Sequence, residues 1–277
     1  WRHPLGALAL WRQSLCAVGP WRQPLRPKSP VRPAAGTLLS QVDADMNASV
    51  VSGAGQDWIE AGLAALDEWQ SIQSALAADG QTILTELFRD HADSGFDYWA
   101  HIPEDDARDP VTGARFYYHA HDPAEWSRPE HGHFHLFLGD PQGADFSHVV
   151  GVSMDADGQP RGLFTTNAWV TGETLIPSQR LLSRLPHAFE INRARPSWLV
   201  GRWLTALLAL VMPEVRELLL ARDRALNGAD GEWPDATVIE DRGRHVLSEC
   251  PLDMQAVLAH WSRRLDTLGP ELVSPPG

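Results

Sequence analysis

Five of the chain's twelve histidines fall within Arg115–Leu138, RFYYHAHDPAEWSRPEHGHFHLFL: His119, His121, His131, His133 and His135. Neutral imidazole is the commonest protein ligand for Zn, Cu, Fe and Ni. In a suitably activated form it is also a nucleophile. Two strands would bring this chemistry to one place, because alternate side chains of a strand share a face. In Arg115–His121 the odd positions are Arg115, Tyr117, His119 and His121, and the even ones Phe116, Tyr118 and Ala120. In His131–Leu138 the odd positions are His131, His133, His135 and Phe137, and the even ones Gly132, Phe134, Leu136 and Leu138. Burying both even faces forces the odd faces together, since a slip of one residue would bury the imidazoles and expose the apolar set. An antiparallel pairing of His119 with His133 also sets His121 opposite His131, with opposed Cβ atoms roughly 4.5–5.5 Å apart.

Three chemistries fit such a face. The first is a divalent transition metal site (Zn, Fe, Mn or Cu) with His119, His121, His133 and His135 as core ligand candidates. Glu125 and Glu130 in the connection, His131, and His148 on a later strand stand behind them. Tyr117 and Arg115 would flank the ion as substrate or supporting groups. Two histidines and a carboxylate suit non-haem iron, whereas three histidines and water suit zinc. A metal-activated water or dioxygen would then be the reagent, giving a hydrolase or oxygenase. The spacing Gly113, His119, His121, Glu125, Gly132 resembles the first cupin motif, without the second cupin motif downstream. The second chemistry is nucleotidyl transfer or hydrolysis: His131-Gly-His133-Phe-His135-Leu-Phe137 resembles the histidine-triad signature, with His133 or His135 as nucleophile, although no phosphate-cradling loop precedes it. The third is structural, with the imidazoles hydrogen-bonded to neighbours in a non-enzymatic binding module. The sequence leaves open whether the site is catalytic.

The elements that must position this hairpin are legible on either side of it. Trp58, Leu63, Leu66, Trp69, Ile72 and Leu76 recur at helical intervals within Gln56–Phe88. A short strand is expected at Phe96–Ile102. After the histidine strands, Phe146–Met154 and Arg161–Val170 flank an aspartate–glycine turn and make a second hairpin. His148 enters there, its face unassigned because Val149 and Val150 are both apolar. Residues 113–170 thus form a four-stranded antiparallel meander. Helices are expected at Pro177–Leu185, Ser197–Val211, Pro213–Leu226 and Pro251–Leu268, with a small hairpin from Thr237–Glu240 and His245–Glu249. The fold class is α+β, the meander packed against N- and C-terminal helices. His91, His101, His187, His245 and His260 stand alone and are read as structural, and the tryptophans as core. Thr165-Thr166-Asn167 either lines the histidine pocket or starts a turn.

Composition narrows the field further. A formal charge of −13 and no basic stripe argue against a nucleic-acid partner. Ser197–Val211 is too short to span a bilayer and contains Arg202, so no membrane partner is expected. The partner is read as a small-molecule substrate and the location as cytoplasmic. Only Lys28 is a lysine among 23 basic residues, a usage expected of a GC-rich bacterial genome. Cys16 and Cys250 cannot build a disulfide framework. A ten-residue repeat opens the chain (WRHPLGALAL, WRQSLCAVGP, WRQPLRPKSP), and Met46 is the first methionine. Residues 1–45 are expected to be a disordered tail outside the fold, and 46–277 one domain. No P-loop, dinucleotide fingerprint or nucleophile elbow is present.

The strings YYHAH, EHGHFHLF, HVVGVSMDADGQP and LFTTNAWVT resemble those of an uncharacterised bacterial domain family of unknown function. The resemblance runs from about residue 55 to about residue 268. It implies one domain beginning near Met46 and carries over no site residues.

Overall fold

A computed structural model describes residues 54–91, 97–122, 130–140, 145–228 and 233–272. The expected repeat tail, residues 1–45, lies outside the described residues. The described elements are α1 (Ala54–Ala78), α2 (Ile83–Leu87), β1 (Ile102–Arg108), β2 (Ala114–Ala120), β3 (Gly132–Gly139), β4 (Phe146–Met154) and β5 (Pro160–Thr166). They continue with α3 (Ala168–Thr171), α4 (Ser178–Leu182), α5 (Trp198–Leu210), α6 (Met212–Leu226), α7 (Ala236–Glu240), β6 (Val246–Pro251) and α8 (Met254–Leu272). The class is α+β, with helices at both ends of a six-stranded antiparallel sheet in the order β1-β2-β3-β4-β5-β6.

The expectation of four strands falls short at both edges. The strand placed at Phe96–Ile102 starts instead at Ile102 and runs on to Arg108, because Trp99 turns at φ 70° and leaves the extended region. On the other edge, Thr237–Glu240 is helical. The side chain of Asp235 accepts the Thr237 N–H and caps that turn. Its intended partner, His245–Glu249, falls in β6 (Val246–Pro251), which pairs with β5. The strand expected to run to Val170 stops at Thr166, where Asn167 caps α3 and donates to Val238 O and Arg244 O. An open sheet with strands in chain order also separates this fold from the barrel that the cupin-like spacing would require.

One face of the sheet is the core. Phe116, Tyr118, Phe134, Leu136 and Leu138 are buried there with Trp69 of α1 and Trp203 of α5. The Trp203 ring lies 6.1 Å from Phe134 and 6.4 Å from Trp69. Local signals hold the frame. Ser197 caps α5, and Asp155 ties the β4–β5 turn by accepting from Asp157 N and Gln159 N. No described helix is long and apolar enough to cross a membrane.

Candidate metal centre

Strands β2 and β3 pair with His119 opposite His133, Tyr117 opposite His135 and Arg115 opposite Phe137. The alternation expected from the sequence therefore delivers these side chains to the face opposite the core. His121 lies one residue past the end of β2 and is buried against His133, their ring centroids 4.6 Å apart. His119 Nε2 stands 2.8 Å from His133 Nε2, and His121 Nε2 stands 3.4 Å from the same atom. On its other side, His133 Nδ1 is 3.1 Å from Glu130 Oε1, a carboxylate whose side chain is 5% exposed. The carboxylate can only accept, so Nδ1 carries the proton and Nε2 presents its lone pair to His119 and His121.

His148 reaches the same face through an irregularity. Leu136 pairs with Val150, but Phe137 pairs with His148, so Val149 is an extra residue in β4. Strict alternation from Gly151 and Ser153 would send His148 to the core with Val150 and Val152. The bulge shifts the phase by one and re-aims the imidazole. His148 Nε2 then lies 3.0 Å from His135 Nδ1. Its own Nδ1 is buried without a hydrogen-bond partner among the described residues. Glu173 accepts the His148 backbone N–H and a hydrogen bond from Ser147 Oγ. It thereby closes the β4 edge where pairing with β5 has ended.

His131 goes the other way. Its Nδ1 is 2.6 Å from the Tyr118 hydroxyl, and the Phe88 ring stands edge-on to both side chains. These are core-face groups, so the expected pairing of His121 with His131 does not form. The three alternating histidines of the triad-like string do not share a face. The reason is that His131 sits in a bend before β3, where the pleat no longer governs direction. Glu125 lies outside the described residues. Tyr117 is buried beside His135 at 4.9 Å between centroids. Arg115 pairs with Asp106, Nε to Oδ2 at 2.8 Å, and stacks over Phe146.

Three further side chains frame the cluster. Phe164 stands edge-on to His133 and His135 at 5.0 and 5.8 Å. It fits because Gly151 lies beneath it: a Cβ there would come within 2.3 Å of the ring. Trp99, exposed at the rim, meets the His121 ring at 4.2 Å. His101 lies flat on Tyr117 at 3.7 Å and 7°. Reading His101 as solitary and the tryptophans as core missed both rim groups. Neither residue carries a sequence signal, since each arrives from a bend before β1. Of Thr165, Thr166 and Asn167, Thr165 bonds Ser248 on the core side and Asn167 caps a helix.

Burial sets the electrostatics. It pushes the pKa of His119 down to about 2, aided by the neighbouring His133, His121 and His101. Burial likewise holds His135 well below the ordinary imidazole range, with His133 and His148 adding to the effect. His148 is pushed down to about 3 by burial, then by Arg222 and His133. These imidazoles are uncharged at neutral pH, so their lone pairs are available. Two sets of side chains have ligand atoms within 4.8 Å of one another: His119, His133 and His135, and His121, Glu130 and His133. His133 belongs to both. The arrangement is compatible with a metal ion.

Fold and site together define a class: an α+β protein with a helix-covered apolar sheet face and a buried histidine–carboxylate cluster on the other. The chain belongs to the family of a domain of unknown function, DUF6969, which it matches over residues 63–252. That span contains all six strands. No curated protein and no solved structure matches the chain.

Proposed function

We propose that this protein binds one divalent transition metal ion on the histidine face and uses it on a small-molecule substrate. His119, His133 and His135 supply the primary nitrogens. His121 completes the site from the end of β2, and Glu130 orients His133 from its Nδ1 side. One observation carries the reading: His133 Nε2, freed as an acceptor by Glu130 at Nδ1, is faced by two further imidazole nitrogens at 2.8 and 3.4 Å. Nitrogens bound at roughly 2.0–2.1 Å to a common tetrahedral zinc-type ion stand about 3.3 Å apart, so the cluster needs little rearrangement to take one. A lone pair can accept one N–H proton well. Several lone pairs converging on one region favour a cation.

Nitrogen-rich ligation suits Zn, Fe or Mn better than Ca or Mg, which prefer all-oxygen sites. Bound there, such an ion supplies Lewis acidity or activates a water or dioxygen. The chain's own residues hold the imidazoles neutral by burial, fix the His133 tautomer, and shield one side with Phe164. The partly exposed rim at Trp99 and His101 is the route by which a small molecule reaches the site.

The test is elemental analysis of protein purified without a histidine tag. About one transition metal ion per chain is expected, lost in His133→Ala. Absence of stoichiometric metal, with His119→Ala and His133→Ala each leaving stability unchanged, would end the proposal.

A further inference from the structure

The rim of the histidine face carries a second array, built from residues that the ligand set does not use. His101 Nδ1 is 2.8 Å from Asp106 Oδ1, and Asp106 Oδ2 accepts from Arg115 Nε at 2.8 Å. Both carboxylate oxygens are thus engaged, and the Asp106 side chain is 6% exposed whereas that of His101 is 40% exposed. The His101 ring is held flat against Tyr117 and lies 6.0 Å from His119 between centroids.

The backbone is bent to make this array. Ile102 pairs with Tyr118 and Ala107 with Phe116, so Pro103 to Asp106 stand opposite Tyr117 alone. The bulge carries Asp106 back over His101 and Arg115. Asp106 adopts φ 48° and Trp99 φ 70°, both in the left-handed region that non-glycine residues rarely occupy. The two non-glycine residues with positive φ among the described residues therefore flank His101. Such outliers store backbone strain that the surrounding structure must offset, and they cluster at ligand-handling sites.

We infer that His101 is a ligand-binding residue at the rim of the histidine face, and that Asp106 is its positioning residue. This rests on the proposed metal site and adds to it a group that orients what binds there. The Asp106 carboxylate fixes the Nδ1–H tautomer, which leaves the Nε2 lone pair to accept a hydrogen bond from the ligand. The ligands this selects are small molecules that carry an O–H or N–H donor beside their metal-binding oxygen.

The probe is acetohydroxamic acid, titrated calorimetrically into zinc-loaded full-length protein, with zinc content measured on every sample. His101→Ala and Asp106→Asn should keep their zinc and bind the probe about three- to tenfold more weakly, the worth of a neutral hydrogen bond. Asp106→Glu should recover part of the loss. In the wild type, 15N chemical shifts should report the Nδ1–H tautomer at His101, and Asp106→Asn should abolish that preference. Zinc-loaded wild type that ignores the probe, unchanged probe affinity in zinc-loaded His101→Ala, or an Nε2–H tautomer in the wild type would overturn the inference while leaving the metal site standing. Wild type that takes up no zinc would overturn both.

Discussion

On the helix-covered face of the β2–β3 hairpin, Phe116, Tyr118, Phe134, Leu136 and Leu138 are buried among the aromatic side chains of α1 and α5. On the opposite face His133 and His135 are buried almost as completely. The backbone is common to both, yet the two burials differ in energy. Removing Phe or Leu from water stabilises the fold by roughly 1.5–3 kcal/mol per side chain. Removing an imidazole from water is unfavourable unless its nitrogens find partners, and the lowered pKa values of His119 and His135 record that cost. A sheet selected for stability alone would place apolar residues on both faces. His131 and His133 compress the contrast into two positions of one segment: the first bonds the Tyr118 hydroxyl in the core, the second joins the cluster.

The largest effect is expected from Phe134→Ala on the core face, a loss of about 3–5 kcal/mol in denaturant unfolding, with metal stoichiometry of the folded protein unchanged. Stripping the metal with a chelator comes next. It should lower wild-type stability by about 2.7 kcal/mol where free ion stands near a hundredfold Kd, and leave His133→Ala unmoved. Equal chelator sensitivity in both proteins would place the ion elsewhere.

Smaller effects sharpen the same contrast. Glu130→Gln should weaken metal binding by about 10–100-fold through loss of the His133 orientation, read by competition with a chromophoric chelator. His131→Ala should cost about 1–3 kcal/mol, because the Tyr118 hydroxyl is left unpaired in the core, and should retain full metal content. Loss of metal in that variant would contradict the assignment of His131 to the core face.

The pH dependence should carry two opposed slopes. Burial lowers His131 to about 4 from an ordinary 6.5, so below pH 6.5 the unfolded chain takes a proton that the native state refuses. Stability from this group falls as pH drops from 6.5 toward 4, and His131→Asn should remove its share, leaving that of His119, His135 and His148. Burial raises Glu214 to about 7 from an ordinary 4.5. The native state then keeps a proton that the unfolded chain releases, and stability falls as pH rises from 4.5 to 7. Glu214→Gln should lessen that fall, leaving the share of Glu173, which burial also raises to about 7. Urea midpoints measured across pH 4–8 test both signs.

The two histidine strands, the His119–His133 register between them and the α+β class were legible in the amino-acid sequence. Alternation is a local property of the pleat: once Phe134 and Leu136 are committed to the core, His133 and His135 have only the other face. The turn at Asp155–Gly158 and the cap at Ser197 are local in the same sense. Tertiary structure decided the rest. His148 joins the cluster through an extra residue at Val149, and the two consecutive valines announced only that alternation fails there. β6 finds β5 across some eighty residues of chain, a pairing that no local period encodes. His131 left its expected face for a hydroxyl that exists only once Tyr118 is packed. His101 and Trp99 reach the rim through positive-φ turns that the surrounding contacts impose. Period-two patterning specifies which side of a strand a residue occupies. Where that strand bulges, ends or meets a distant partner is set by packing that only the folded chain possesses.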